Sequence, residues 1–109
     1  MEALEKGDVV VVSFPFTDFS SSKSRPALVI AVLEGEDVII CQITSSRSDK
    51  YCVKINSIDF KEGGLQIPSS VRTNKLLTIN KSLIDFRIGK LKAEKTNEII
   101  DRIEDILRS

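Results

Sequence analysis

Arg25, in the stretch Ser22-Lys23-Ser24-Arg25-Pro26-Ala27-Leu28, stands where a polar loop meets an apolar strand, and it is the side chain of this 109-residue sequence best placed to do chemistry. Proline fixes its own φ and restricts the residue before it, so the Arg25 backbone is held while its side chain reaches solvent or a substrate. A guanidinium is planar and always charged, and it can give two parallel hydrogen bonds to a phosphate, which a lysine cannot reproduce. The competing role is an exposed arginine at a strand start, paired with Asp18 or Glu36. Thr44-Ser45-Ser46 forms a second cluster, placing two or three hydroxyls where an apolar run ends. They can orient an oxygen of a bound group, or bond their own backbone in a turn.

Other chemistries are excluded by what the sequence lacks. It has no histidine, so neither an imidazole acid-base pair nor a Cys/His metal site can be built. Cys41 and Cys52 have no CxxC spacing and sit in apolar or alternating segments, as two buried thiols acting as small hydrophobes would. Sixteen basic residues cancel sixteen acidic ones, which argues against a nucleic-acid partner until the distribution is considered. Residues 23–92 carry twelve Lys/Arg against seven Asp/Glu, so the basic excess lies in the middle of the chain between two acidic ends.

The elements that must position these residues follow from patterning. The length and the 41% hydrophobic content suit one core, so residues 1–109 are expected to form a single domain. Asp8 to Phe14 (DVVVVSF) reads as a strand buried on both faces, and residues 16–24 as a polar loop tethered by Phe16 and Phe19. Pro26 to Leu33 resumes a strand, Glu34 to Asp37 turns, and Val38 to Thr44 completes a hairpin before the polar loop Ser45 to Lys50. Tyr51 to Ile55 alternates as a half-exposed strand, Gly63-Gly64 marks a turn, and Leu65 to Pro68, Ser70 to Arg72, Leu76 to Ile79 and Ile88 to Leu91 are short strand candidates. At the end, Ile99, Ile100, Ile103, Ile106 and Leu107 recur at helical spacing, predicting an amphipathic helix over 93–107 with Lys92 a poor N-cap. Many short strands and one closing helix predict a mainly β small barrel. No stretch is a signal peptide or a membrane span, so a cytoplasmic location is expected.

Four stretches occur in order: Gly7-Asp8-Val9-Val10 running to Phe14-Pro15-Phe16-Thr17-Asp18; Ser22 to Val29 with its Arg25-Pro26; Cys41-Gln42-Ile43-Thr44-Ser45; and Val71-Arg72 to Asn74-Lys75-Leu76, continuing to Ile88-Gly89-Lys90-Leu91. Together they resemble the PemK/MazF-like toxin family over nearly the whole chain. What the resemblance implies is an SH3-like toxin barrel of the PemK/MazF/CcdB type with a C-terminal helix. It implies the toxin of a type II toxin-antitoxin pair: a homodimer that cuts single-stranded mRNA sequence-specifically without a metal, inhibits growth, and is held inactive by a cognate antitoxin.

Cleavage by attack of a ribose 2′-hydroxyl needs a base for the hydroxyl proton, a cation for the charge growing on the phosphate, and an acid for the leaving 5′-oxygen. By resemblance Arg25 and Thr44 are the catalytic pair, Arg25 stabilising the transition state. Ser45, Arg47, Lys50, Arg72 and Lys75 are candidates for gripping RNA. The loop before Arg25 carries serines where some members of the family have a carboxylate, leaving Asp18 as the nearest acid and the base unassigned. Three alternatives stand beside this reading, one of them a toxin homologue that, lacking the carboxylate, has lost activity and keeps only dimerisation and antitoxin binding. A gyrase poison of the same barrel relies on a tryptophan-bearing helix end, whereas this chain has no tryptophan; a non-catalytic binding barrel carries loop glycines after its first strand, and here there are none.

Overall fold

Val9, Val10 and Val12 are wholly shielded from solvent, and they divide between two apolar clusters on opposite faces of one sheet. This is the two-sided burial that an unbroken β-branched run predicts, since successive side chains of a strand point to opposite faces. The computed structural model describes residues 3–15, 22–46 and 48–109. The strands are β1 (Asp8–Pro15), β2 (Ser22–Val32), β3 (Asp37–Thr44), β4 (Cys52–Ile55), β5 (Phe60–Gly63), β6 (Ser69–Asn80) and β7 (Ile84–Leu91), and a helix α1 (Ala93–Arg108) follows them. They form one sheet in the order β4-β6-β3-β2-β1-β7-β5, and every pair in it is antiparallel.

One cluster gathers Val9, Leu28, Cys41, Ile43, Val53 and Val71 beneath Ile99 and Ile103 of α1. The helix is therefore the lid of this core. Of its predicted face it buries Ile99 and Ile103, half-buries Ile100 and Ile106 and leaves Leu107 exposed, and Lys92 indeed supplies no side-chain cap. The other cluster packs Val10, Val12, Val29, Val38 and Ile40 with Ile79 and Ile84 on the reverse of the same strands. Cys41 is an inert core residue, because burial pushes its thiol up to about 12. At the start of β1, buried Asp8 accepts hydrogen bonds from the Glu5 backbone N–H (2.8 Å) and from Arg87 Nε (3.0 Å). Its hydrogen bond, with a second from Arg87 to Glu62, raises the Arg87 pKa and ties β1 to β7 and β5.

The predicted barrel of strands closed by a C-terminal helix is what the structure contains, with corrections in the second half. Leu65 to Pro68 is not a strand; residues 69–80 form one long strand where two short ones were expected; Phe60–Gly63 is a strand the patterning missed. The last strand begins at Ile84, four residues before the expected Ile88, directly after a 3-10 helix, Lys81–Leu83. Ser22 to Ser24, read as loop, are already paired with β1 in the register Ser13↔Ser24, Phe14↔Lys23 and Pro15↔Ser22. Phe16, Asp18 and Phe19 lie outside the described residues. Gly63 and Gly89 face one another across β5 and β7. Gly63 has φ +64°, and a Cβ there would collide with the Ile88 carbonyl oxygen, so only glycine lets the strands approach this closely. Among the described residues, no helix is long and apolar enough to cross a membrane.

Candidate active-site groove

Arg25 is exposed on β2, opposite Val12 of β1. The β2–β3 ladder pairs Ala27 with Gln42 and Leu28 with Cys41; continued two residues, the same register sets Arg25 across from Thr44, the last residue of β3. Both residues line one groove of about 700 Å³, together with Ser24, Ser45, Gln66 and Ile67. Two strands buried on both faces thus carry the two side chains to a common wall, which gives a loop-mouth site rigid support.

Arg25 takes part in no ion pair among the described residues. The competing role with Glu36 is therefore not realised, and Asp18 lies outside the described residues. Arg25 lines the groove with no ion-pair partner among the described residues. Thr44 forms the turn expected of it and also lines the groove. Its Oγ1 accepts from the Ser46 backbone N–H at 3.2 Å and lies 3.3 Å from Ser46 Oγ, so it shapes the turn while its hydroxyl forms part of the groove wall. When Ser46 Oγ is the donor, the Thr44 proton is available to an acceptor in the groove.

A second groove of about 390 Å³ adjoins the first; both are lined by Thr44, Ser45, Ser46 and Ser69. The second adds Lys54, Asn56 and Ser70, which sequence reasoning did not select. Across the residues lining the two, the charged side chains are Arg25 and Lys54, both cationic. The surface is thus positive and rich in hydroxyls, suited to a phosphodiester backbone.

The remaining sequence candidates fall differently. Ser45 lines both grooves, and Arg47 lies outside the described residues. Lys50 lines neither; its ammonium sits 5.1 Å over the Tyr51 ring and its carbonyl accepts from Arg102 Nη1 at 3.0 Å, tying the loop after Thr44 to α1. Arg72 and Lys75 line neither groove. Between Ile43↔Val71 and Cys41↔Leu76 the β3–β6 register jumps, so that residues 72–75 bulge opposite Gln42. Arg72 is half-buried there, with an Nε that has no hydrogen-bond partner among the described residues, and Lys75 is exposed.

Asp85, at the start of β7, also went unselected. Its Oδ2 accepts from Ser13 Oγ at 2.6 Å and from Ser24 Oγ at 3.4 Å. Among the described residues it is the carboxylate hydrogen-bonded to a side chain lining the first groove, and it pins the β1–β2 pair beside Arg25.

Comparison with known proteins agrees with this architecture. The chain belongs to the family of PemK-like, MazF-like toxins of type II toxin-antitoxin systems, whose model matches residues 5–107. Among solved structures, the Mycobacterium tuberculosis toxin MazF-mt6 is similar at a TM-score of 0.72 and 20% identity, covering 93% of this chain and 96% of that one. MazF from Deinococcus radiodurans is similar at a TM-score of 0.76 and 17% identity, covering 100% of both chains. An endoribonuclease solved in complex with its cognate antitoxin, from a mycobacterial species, has a TM-score of 0.75 and 16% identity, covering 98% and 95%. At these identities the likeness is one of fold. No curated protein matches the chain by sequence.

Proposed function

We propose that this toxin is an endoribonuclease that cuts single-stranded RNA by 2′-hydroxyl attack, with Arg25 and Thr44 at its reaction centre. The observation that carries the reading is their placement on one groove wall, with the Arg25 charge uncompensated among the described residues. The 2′-oxygen bonds to phosphorus as its proton departs, the bond from phosphorus to the 5′-oxygen breaks, and that oxygen takes up a proton. The products end in a 2′,3′-cyclic phosphate and a 5′-hydroxyl.

Through this sequence the non-bridging oxygens gain negative charge, which the Arg25 fork is shaped to hold in place. The Thr44 hydroxyl orients one of those oxygens or the attacking hydroxyl. Ser45 binds the backbone beside them, and Arg47 and Lys50 belong to the loop that borders the groove. Arg72 and Lys75, off the groove, serve as outlying phosphate contacts. Family membership and an antitoxin-bound structural relative support a cognate antitoxin and a homodimer as the partners of this chain, acting in the cytoplasm as a single domain.

The test is cleavage of a long single-stranded transcript by purified protein in excess EDTA, with end-group analysis of the products. Cleavage with cyclic phosphate ends is expected. A strict requirement for added Mg²⁺, or 5′-phosphate ends, would contradict the mechanism.

A further inference from the structure

Thr44 of β3 pairs with Ser70 of β6, and Ser70 in turn pairs with Lys54 of β4. With Arg25 projected across from Thr44, four residues on four adjacent strands form one row: Arg25, Thr44, Ser70, Lys54. Residues directly opposite one another in an antiparallel ladder project to the same face. Consistent with that, Thr44, Ser70 and Lys54 all line the second groove, and Asn56, two residues along β4 from Lys54, lines it as well. Three strand spacings separate the Cα atoms of Arg25 and Lys54 by roughly 14 Å.

Lys54 is exposed and takes part in no ion pair among the described residues. Its placement has no structural explanation in the core, since its neighbours Val53 and Ile55 carry the packing on the opposite face. A lysine is a compact, strongly hydrated point charge on a flexible stem, suited to a phosphate rather than to reading a base.

From this row we infer that Lys54 is a second phosphate anchor, fixing the path of the RNA backbone across β2, β3, β6 and β4 away from the scissile phosphate at Arg25. This rests on the endoribonuclease reading above. The Thr44 and Ser70 hydroxyls stand between the two cations and line the path. Lys54 thereby sets how many nucleotides on one side of the cut are needed for tight binding.

The experiment compares wild type, Lys54→Ala and Lys54→Arg on an RNA carrying a mapped cut site, and on versions shortened one nucleotide at a time from either end. Lys54→Ala is expected to raise KM about tenfold with kcat little changed, and to reduce the slope of log affinity against log salt by about 0.7, the loss of one single-strand phosphate contact. Lys54→Arg restores most of the binding. Shortening one arm past the Lys54 anchor abolishes the difference between wild type and Lys54→Ala, whereas shortening the other arm leaves it. An unchanged KM, a loss in kcat alone, or a defect that persists on every shortened RNA overturns the inference while leaving the endoribonuclease reading intact. If Lys54→Ala cuts RNA normally but binds an acidic antitoxin peptide more weakly, the cation belongs to the protein partner and the inference also fails. A wild-type protein that cuts no RNA overturns both readings.

Discussion

Arg25 lies across from Thr44 in the continued register of β2 and β3, although nineteen positions separate them in the sequence. The ladder beneath them is built from residues with no exposure to solvent, Ala27, Leu28 and Cys41 among them. A close-packed core resists small shifts, and it fixes the strands from which an exposed arginine and a half-buried threonine reach one groove. The proposed reaction centre rests on strand register.

Thr44 has two tasks that substitution can separate. Thr44→Val removes the oxygen that accepts the Ser46 N–H and should cost about 1 kcal/mol of stability. The same change should lower kcat by at least about tenfold, since removing one hydrogen-bond donor aimed at the reacting oxygens costs about 10²–10³. Thr44→Ser keeps the hydroxyl and should hold kcat within a few-fold of wild type. Urea denaturation and steady-state cleavage on the same preparations measure the two effects; a large stability loss with full activity in Thr44→Val would confine Thr44 to the turn.

Gly63 determines how β5 seats against β7 just before the Gly64 to Ile67 wall of the groove. Gly63→Ala adds left-handed strain of about 1–3 kcal/mol as well as the collision with the Ile88 carbonyl. Thermal unfolding should show a large drop in Tm, and the KM for RNA should rise as the wall shifts. A Tm within a degree of wild type would contradict the close approach described between these strands.

Cys41 gives a signed pH dependence. Its thiol titrates near 9.0 when exposed and near about 12 in the fold, because burial disfavours the thiolate. The unfolded chain therefore loses this proton first as pH rises. The contribution is fully present below about 9 and declines between there and about 12. Comparing urea midpoints at pH 8 and pH 10, wild type should lose more stability than Cys41→Ala over that step. Equal losses would mean that the thiol is not shielded as the structure shows.

The sequence made the centre of the fold legible and left its periphery obscure, for physical reasons. Asp8 to Phe14, Val38 to Thr44 and the terminal isoleucines carry strong periodic or continuous apolar signals, because those elements bury a whole face or both. Phe60–Gly63 offers one buried apolar residue, Phe60, too little for a pattern to register. Residues 69–80 looked broken because Thr73, Asn74 and Lys75 are polar, yet the bulge opposite Gln42 lets the strand continue through them. Arg25 and Thr44 were found through residue type and motif. Lys54, Ser70 and Asp85 were not, since their relation to the groove depends on long-range register that local spacing cannot reveal. Alternation did place Lys54 on the exposed face, and that was the one available signal.

The most direct test of the account is the rate of RNA cleavage by Arg25→Ala, measured beside its urea midpoint. Arg25 is exposed and unpaired among the described residues, so its removal should leave the midpoint near wild type, while the loss of a preorganised charge on the phosphate should reduce kcat by about 10²–10³ or more. Arg25→Lys should recover only part of that, because an ammonium cannot reproduce the two-pronged contact. A folded Arg25→Ala protein that cuts RNA at the wild-type rate would contradict the account at its centre.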